Sequence, residues 1–133
     1  MLSRRSALFV ALSTAAAAGA VFATPTFATE TKPFTADAFA AAQKAGKPIF
    51  VDVHASWCPV CAKQKPILSE LTADPKFKDL VFFVVDFDSK DFVKAFDVRM
   101  QSTLIAFKGE RETGRSVGDT DRAAIAALLN KTL

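Results

Sequence analysis

The chain has 133 residues, of which 50% are hydrophobic and 23% are charged, and its formal net charge is +3. This length supports one domain with a single core, and this balance is typical of a globular protein, so it excludes a wholly disordered chain. The sequence contains no basic patch with interleaved aromatic residues, so nucleic-acid binding has no support.

Residues 1–23 have the pattern of an export signal. Two arginines form a positive start, and an apolar stretch follows over residues 7–21. Small residues two positions apart predict cleavage after Ala23, with Ala28 as a second candidate. Because the apolar run is short for a membrane span of roughly 20 residues, a cleaved signal is favoured over a retained N-terminal anchor.

The sequence around Arg4 and Arg5 also resembles a twin-arginine signal, with alanine where that motif favours phenylalanine, so the Sec and twin-arginine routes both stay open. Removal of residues 1–23 takes away these two arginines and lowers the net charge from +3 to +1. We therefore predict a periplasmic protein, with a flexible leader over residues 24–33 and one domain over residues 34–133.

A helix, a strand and a second helix are predicted in the first half of the domain. Thr35 is a typical N-cap for a helix that ends near Ala45. Residues 49–54 form an apolar run of the kind that is buried on both faces of a sheet. A helix follows the two cysteines and ends near Leu71, and Pro66 within it favours a kink because proline removes a backbone hydrogen bond.

The second half of the domain predicts three strands and two helices. The strands cover 80–87, 103–108 and 112–117, and the helices cover 89–96 and a final segment capped by Asp119 or Thr120 with Ile125, Leu128 and Leu129 on one apolar face. The strand–helix–strand start predicts a parallel crossover, and a turn at Gly109 predicts an antiparallel edge. The sequence therefore predicts an α/β fold with a mixed four-stranded sheet and flanking helices.

Both cysteines of the chain lie in the stretch Trp57-Cys58-Pro59-Val60-Cys61. If Cys58 begins the helix, the two sulfurs lie on one face of its first turn, close enough for a disulfide. The helix N-terminus favours a thiolate at Cys58, which we predict to be exposed, with Cys61 more buried. A bridge across three residues removes little unfolded-state entropy, so reversible dithiol–disulfide chemistry is favoured over a structural disulfide.

The order of elements, with Trp-Cys-x-x-Cys at the end of the first strand, resembles the thioredoxin family from about residue 34 to residue 131. The matching features are the stretch 49–58, Pro66, the segment 85–88, the segment 103–110 and Gly118. A domain that begins directly with a helix, together with the Asp74-Pro75 segment, is similar to periplasmic modules such as the C-terminal domain of DsbD.

The resemblance implies a thioredoxin-like fold and a protein-disulfide oxidoreductase that needs no cofactor. It implies that Cys58 attacks, that Cys61 resolves the mixed disulfide, and that Asp52 accepts a proton. The residues that it places against a substrate are Trp57, Pro59, Val60, Gln101, Ser102 and Thr103.

The resemblance also bears on the direction of electron flow and on the partners. The pair between the cysteines, Pro59-Val60, lacks the histidine of the strongly oxidising DsbA type, so we expect a reductant or electron carrier. The expected partners are protein thiols and disulfides together with a membrane electron donor, and we expect a monomer.

Three residues depart from the family pattern. Ser102 stands where the family has a cis-proline, and a non-proline cis bond costs about 2.5–4 kcal/mol, so we expect a trans peptide and a different local loop. Val84 replaces a lysine near Asp52, which predicts a raised pKa for that carboxyl. His54, the only histidine, stands where tryptophan is usual.

Two other functions remain open from the sequence. The two thiols and His54 are ligands that suit a soft metal such as copper, which would indicate a metal-binding or metallochaperone module. A redox-inactive subunit that keeps the fold for docking alone is the second alternative.

Overall fold

The computed structural model describes residues 29–133. The predicted export signal and residues 24–28 of the predicted leader lie outside the described residues. A mixed sheet of five strands has the order β1-β3-β2-β4-β5. The strands are β1 Glu30–Pro33, β2 Pro48–His54, β3 Val81–Asp86, β4 Thr103–Lys108 and β5 Arg111–Val117. The predicted α/β architecture is confirmed, with five strands instead of four.

Four α-helices flank the sheet in the described part of the chain. They are α1 Ala36–Lys44, α2 Pro59–Thr72, α3 Lys90–Ala95 and α4 Arg122–Asn130, and a short 3₁₀ helix covers Pro75–Phe77. The helices α1 and α3 pack on one face of the sheet, and α2 and α4 pack on the other. No helix within residues 29–133 combines the length and apolar character needed to cross a bilayer.

The central strand β2 pairs in parallel with β3 and antiparallel with β4, and β4 and β5 form an antiparallel hairpin. Both predicted connections, the parallel crossover and the hairpin, are confirmed. Gly109 turns this hairpin at a φ of +58°, a conformation that glycine adopts at little cost. The carboxyl end of β2 therefore meets the start of β4, with Val53 opposite Thr103.

A strand precedes α1 in the structure. This corrects two predictions, a leader that extends to residue 33 and a domain that begins directly with a helix. Glu30–Pro33 pairs in parallel with β3 as the outermost strand of the sheet. Just before it, the Thr29 hydroxyl donates to the carbonyl of Thr72 at 2.6 Å. Because β1 is four residues long and mostly exposed, it carries no alternating hydrophobic pattern that would mark it in the sequence.

Two apolar clusters hold the sheet between its helices. On the α1 side, the Phe39 ring lies 5.7 Å from the Phe83 ring and 5.3 Å from the Phe107 ring, in edge-to-face contacts. On the α2 side, Phe50 and Leu68 pack with the apolar residues of α4. The predicted apolar face of α4, formed by Ile125, Leu128 and Leu129, is buried there.

The helix ends follow from local capping. The Thr35 hydroxyl accepts from the Ala38 N–H at 3.1 Å and begins α1, as predicted. The predicted cap of α4 is off by one or two residues, because the Asp121 carboxylate accepts from the Ala124 N–H at 2.9 Å. The Asp119 carboxylate instead accepts from the Asp121 N–H in the turn before the helix. The helix α2 runs through Pro66 without interruption.

Candidate active site

Cys58 and Cys61 form a disulfide at the N-terminus of α2, with their Cα atoms 5.3 Å apart. Cys58 is the N-cap of this helix, and its sulfur accepts from the Cys61 N–H at 3.1 Å. Pro59 occupies the first helical position, where its fixed φ suits the helix and its missing N–H is not needed. After reduction, a Cys58 thiolate would therefore lie at the positive end of the helix, with a backbone donor already in place.

The two cysteines are almost equally buried, with exposed fractions of 4% for Cys58 and 3% for Cys61. The prediction that Cys58 is exposed is wrong, because Ala55, Val60 and Phe87 pack around the pair. Burial therefore does not distinguish the two sulfurs. Their positions do, because the Cys58 sulfur caps the helix and Cys61 lies inside its first turn.

Exposed apolar side chains lie at the disulfide end of the sheet. Trp57 is 58% exposed, and its ring contacts the Phe87 ring edge-on at 6.5 Å. Pro59 is exposed next to it, and Val60 is half-buried. In the loop before β4, Met100 is 53% exposed. An incoming polypeptide would meet an apolar surface at this end.

The loop at Ser102 differs from the family pattern, as predicted. No peptide bond in residues 29–133 is cis, and Ser102 has a φ of +64°. Its N–H donates to the carbonyl of Val53 at 2.8 Å, and its own carbonyl accepts from the Gly118 N–H at 3.1 Å. The first hydrogen bond attaches the loop to the carboxyl end of β2, next to the segment that leads to Cys58, and the second attaches it to the residue that follows β5.

The predicted substrate contacts in this loop divide into two kinds. Gln101 is half-buried, so part of the residue is accessible to solvent. Ser102 and Thr103 are buried, and their hydroxyls donate within the loop, to the carbonyls of Gln101 and Met100 respectively. The side chains of Ser102 and Thr103 therefore do not face an incoming substrate.

Asp52 is buried in the middle of β2 and faces α2. The residue is 8% exposed, and its Oδ1 atom has no hydrogen-bond partner. Burial raises the pKa of the Asp52 carboxyl from 3.8 to about 6, and the charge of His54 acts in the opposite direction. Its neighbour on β3 is Val84, which supplies no charge. The predicted rise in pKa is confirmed.

A cavity of about 410 Å³ reaches Asp52 from the edge of the sheet. It lies between the strands β1, β3 and β2 on one side and α2 on the other, and its lining includes Asp52, His54, Val84, Lys65 and Ser69. The structure thus groups His54 with Asp52. Within residues 29–133 no group of three or more His, Cys, Asp or Glu side chains is arranged to hold a metal ion, so Cys58, Cys61 and His54 do not form such a group.

Residues 30–131 match the family model described as thioredoxin. The chain belongs to the thioredoxin family. A thioredoxin of H-type from Brassica campestris is 40% identical over 90 residues, which cover 67% of this chain and 72% of that protein. A thioredoxin from Chlamydia muridarum is 32% identical over 83 residues, which cover 62% of this chain and 80% of that one.

Solved structures agree with this family assignment. The Trxlp protein of Edwardsiella tarda is 42% identical, with a TM-score of 0.73, over 75% of this chain and 98% of that chain. The thioredoxin NaTrxh of Nicotiana alata shares the fold at 24% identity, with a TM-score of 0.68, over 79% of this chain and 94% of that chain. The similarity to DsbD-type modules stays a prediction.

A thioredoxin with a Cys58–Cys61 pair is a protein-disulfide oxidoreductase that acts on the thiols and disulfides of other proteins. The geometry suits this chemistry, because the sulfur of Cys58 sits at the cap of α2 beside the exposed Trp57. Cys61 is bonded to it and lies inside the first turn of the helix.

Gln64 is a residue of this site that the sequence analysis missed. It is fully buried on α2, three residues after Cys61, and its Nε2 donates to the carbonyls of Asp119 at 2.8 Å and Ser102 at 3.3 Å. It therefore ties the cysteine-bearing helix to the loop before β4. The signal was available, because Gln64 is a polar residue on the helix face that also carries Cys61 and Leu68.

Replacing Ser102 by the proline of the family is expected to lower the free energy of unfolding by about 3 kcal/mol. Proline fixes φ near −65°, whereas Ser102 has a φ of +64°, and proline removes the N–H that donates to Val53. Urea unfolding followed by circular dichroism measures the change. The matched control is Ser102→Gly, which keeps the N–H and accepts the positive φ, and should stay within about 1 kcal/mol of the wild type. Equal stability of the proline variant would contradict this account of the loop.

Proposed function

We propose that this thioredoxin is exported and reduces disulfides of proteins in the periplasm. The export signal is removed by cleavage after Ala23, which releases residues 1–23, or by cleavage after Ala28, as other export signals are removed. A membrane electron donor then returns the oxidised protein to its dithiol form. The protein acts as a monomer. It uses no cofactor, because the two sulfurs carry both electrons.

The proposed reaction has two steps. The Cys58 thiolate attacks one sulfur of the substrate disulfide, which forms a mixed disulfide and releases the other substrate sulfur as a thiolate that takes up a proton. The Cys61 thiol gives its proton to Asp52 and its sulfur attacks Cys58, which releases the second substrate thiolate. The substrate disulfide gains two electrons, which Cys58 and Cys61 lose. Its two thiolates take up two protons from the medium, which balance the proton that Cys58 released when its thiolate formed and the proton that Cys61 gave to Asp52.

The observation that carries this assignment is the hydrogen bond from the Cys61 N–H to the Cys58 sulfur at 3.1 Å, at the start of α2. A backbone donor and the helix dipole both stabilise negative charge on Cys58, which favours that sulfur as the attacking thiolate. The exposed Trp57 and Pro59, together with half-buried Val60 and Gln101, supply the surface for the substrate.

The reducing direction rests on the residues between the cysteines. Pro59 and Val60 carry no ionisable group that would add to the stabilisation of the Cys58 thiolate. A dithiol whose thiolate is less stabilised is a weaker oxidant, and about 1.4 kcal/mol corresponds to about 30 mV for a two-electron couple. The protein is therefore proposed as an electron donor to its substrates.

The proposed function is tested by expressing the full chain in a bacterium and analysing the periplasmic fraction. N-terminal sequencing is expected to find a chain that begins at Thr24 or Thr29, and this chain should reduce a model protein disulfide in the presence of a dithiol. A chain that stays in the cytoplasm would overturn the export proposal. A purified chain that cannot exchange with any disulfide would overturn the reaction.

A further inference from the structure

Gln64 occupies a fully buried position on the helix that carries the cysteines. It lies three residues after Cys61, and both residues belong to the buried face of α2. Residues three apart on a helix are neighbours, so Gln64 is one turn away from the Cys61 sulfur. A polar side chain is costly at such a position unless it makes hydrogen bonds. The hydrogen-bond partners of Gln64 therefore show what it contributes.

Two segments from distant parts of the chain meet at the Gln64 side chain. Its Nε2 atom donates to the carbonyl of Asp119 at 2.8 Å and to the carbonyl of Ser102 at 3.3 Å. Asp119 lies between β5 and α4, and Ser102 is the last residue of the loop before β4. Both protons of the amide nitrogen are thus used on backbone carbonyls, and neither is used on a sulfur. One buried amide fixes α2 against both segments.

The other polar atom of the same side chain shows that packing alone does not account for a glutamine here. In the described part of the chain, Oε1 of Gln64 has no hydrogen-bond partner. A buried polar atom without a partner lowers stability, and an apolar side chain of the same size would fill the position without that cost. The two hydrogen bonds of Nε2 are therefore what distinguishes Gln64 from an apolar residue at this position.

Ser102, which accepts one of these hydrogen bonds, has an unfavourable backbone conformation. Its φ of +64° lies in the left-handed region, which serine adopts only at a cost and only where the surroundings hold it there. Its N–H donates to the Val53 carbonyl, and its own carbonyl accepts from the Gly118 N–H as well as from Gln64. Of these hydrogen bonds, the one from Gln64 comes from a side chain, so a substitution can remove it without altering the backbone.

The loop that ends at Ser102 contributes to the surface proposed for the substrate. Met100 is 53% exposed, and Gln101 is half-buried. At the start of the loop, Arg115 donates to the carbonyls of residues 96 and 97 at 3.1 Å and 3.5 Å. The loop is therefore anchored at both ends, by Arg115 on β5 and by the hydrogen bonds of Ser102. Anchors of this kind restrict Met100 and Gln101 to one arrangement.

We propose that Gln64 is a positioning residue for substrate recognition: through its hydrogen bond to Ser102, it holds the loop before β4 against the cysteine-bearing helix in the arrangement that binds a protein substrate. This inference rests on the proposed function and names the residue that arranges its substrate surface. Gln64 acts through the loop and not on the sulfurs, so its loss weakens substrate binding and leaves the chemistry of Cys58 and Cys61 intact.

The size of the substrate decides whether this arrangement matters. A protein substrate carries polypeptide on both sides of its disulfide, and this polypeptide reaches the loop when Cys58 attacks. A small disulfide without a polypeptide reaches Cys58 and needs no contact with Met100 or Gln101. Gln64 therefore contributes to the preference for protein disulfides over small ones.

The test compares the wild-type protein with Gln64→Met, which keeps a long buried side chain and removes both donors. Values of KM and kcat are measured for insulin, as the protein disulfide, and for hydroxyethyl disulfide, with dithiothreitol as the reductant. The redox midpoint of Cys58 and Cys61 is measured in glutathione buffers, and circular dichroism checks that each variant is folded. Thr132→Val is the matched control, because it also removes a buried hydrogen bond to a carbonyl, that of Leu129 at 2.7 Å, just after α4.

Gln64→Met is expected to raise KM for insulin about tenfold and to change kcat by less than about twofold. A loop that is in the binding arrangement about one tenth of the time binds about ten times more weakly, whereas a saturating substrate selects that arrangement. KM for hydroxyethyl disulfide and the redox midpoint should equal those of the wild type, and Thr132→Val should change none of these quantities. If Gln64→Met does not fold, Gln64→Asn replaces it, because its shorter amide cannot reach both carbonyls, and it should raise KM for insulin at least about threefold.

An unchanged KM for insulin in the folded Gln64 variant would overturn the inference. An equal rise in KM for hydroxyethyl disulfide, an equal rise in Thr132→Val, or a loss of activity that lies in kcat would overturn it too. Failure of the proposed function is a separate result, because it would be seen in the wild-type protein as failure to reduce either disulfide. An active wild type whose KM for insulin does not depend on residue 64 overturns the inference alone.

Discussion

A Cys61→Ser variant is expected to accumulate mixed disulfides with its substrates through Cys58, while its turnover falls by a factor on the order of 10³ or more. The first step needs the Cys58 thiolate, which keeps its place at the cap of α2 and the backbone donor of residue 61. The second step needs a sulfur at position 61, and serine does not provide one. Purification of the adducts from cells that express the variant, followed by mass spectrometry, identifies the substrates and the direction of electron flow together.

Cys58→Ser is the matched control for this experiment. Serine is a favourable N-cap residue, so α2 should begin at the same place and the fold should be retained. This variant is expected to show neither adducts nor turnover, because the remaining Cys61 lies inside the first turn and lacks the N-cap position and the backbone donor that favour a thiolate at Cys58. Adducts in Cys58→Ser and none in Cys61→Ser would reverse the roles assigned to the two sulfurs.

Asp52→Asn is expected to raise the free energy of unfolding at pH 7 by about 3 kcal/mol. Burial raises the pKa of the Asp52 carboxyl from 3.8 to about 6, so between these values the folded state holds a proton that the unfolded state has released. The contribution of Asp52 to stability is therefore largest below pH 3.8 and is lost as the pH rises through about 6. Urea unfolding at several pH values measures both the gain in the free energy of unfolding and the dependence of that free energy on pH.

The asparagine variant should lose this pH dependence and should match the wild type more closely near pH 4 than at pH 7. The same substitution removes the proton acceptor assigned to the second step, so disulfide reduction should slow and its pH profile should lose the inflection near pH 6. If the two proteins have the same free energy of unfolding at pH 7 and the same dependence of that free energy on pH, the account of Asp52 as a buried carboxyl that is charged at pH 7 is contradicted.

The site could be predicted where its chemistry depends on local sequence. The apolar run before Cys58 and the spacing to Cys61 predicted β2, the start of α2 and the disulfide. Val84 in place of a cation predicted the raised pKa of Asp52, because the two positions are neighbours on adjacent strands. The absence of the family's proline at Ser102 predicted a trans peptide and a different local loop there.

Other features depend on contacts between distant segments and left little trace in the local pattern. The edge strand β1 is short and exposed, so its pairing with β3 gives no hydrophobic alternation. Cys58 is buried partly by Phe87, which follows β3, and this contact exists only after the sheet forms. The hydrogen bonds of Gln64 join α2 to carbonyls 38 and 55 residues away.

The most direct test of the account is the redox equilibrium of Cys58 and Cys61 in glutathione buffers, with alkylation of free thiols and mass detection. The account predicts one reversible two-electron transition between a dithiol and the Cys58–Cys61 disulfide, with a midpoint closer to about −270 mV than to about −120 mV. A midpoint near the second value would contradict the reducing role. A pair that does not exchange, or that yields only stable glutathione adducts, would contradict the central claim that these two sulfurs carry the reaction.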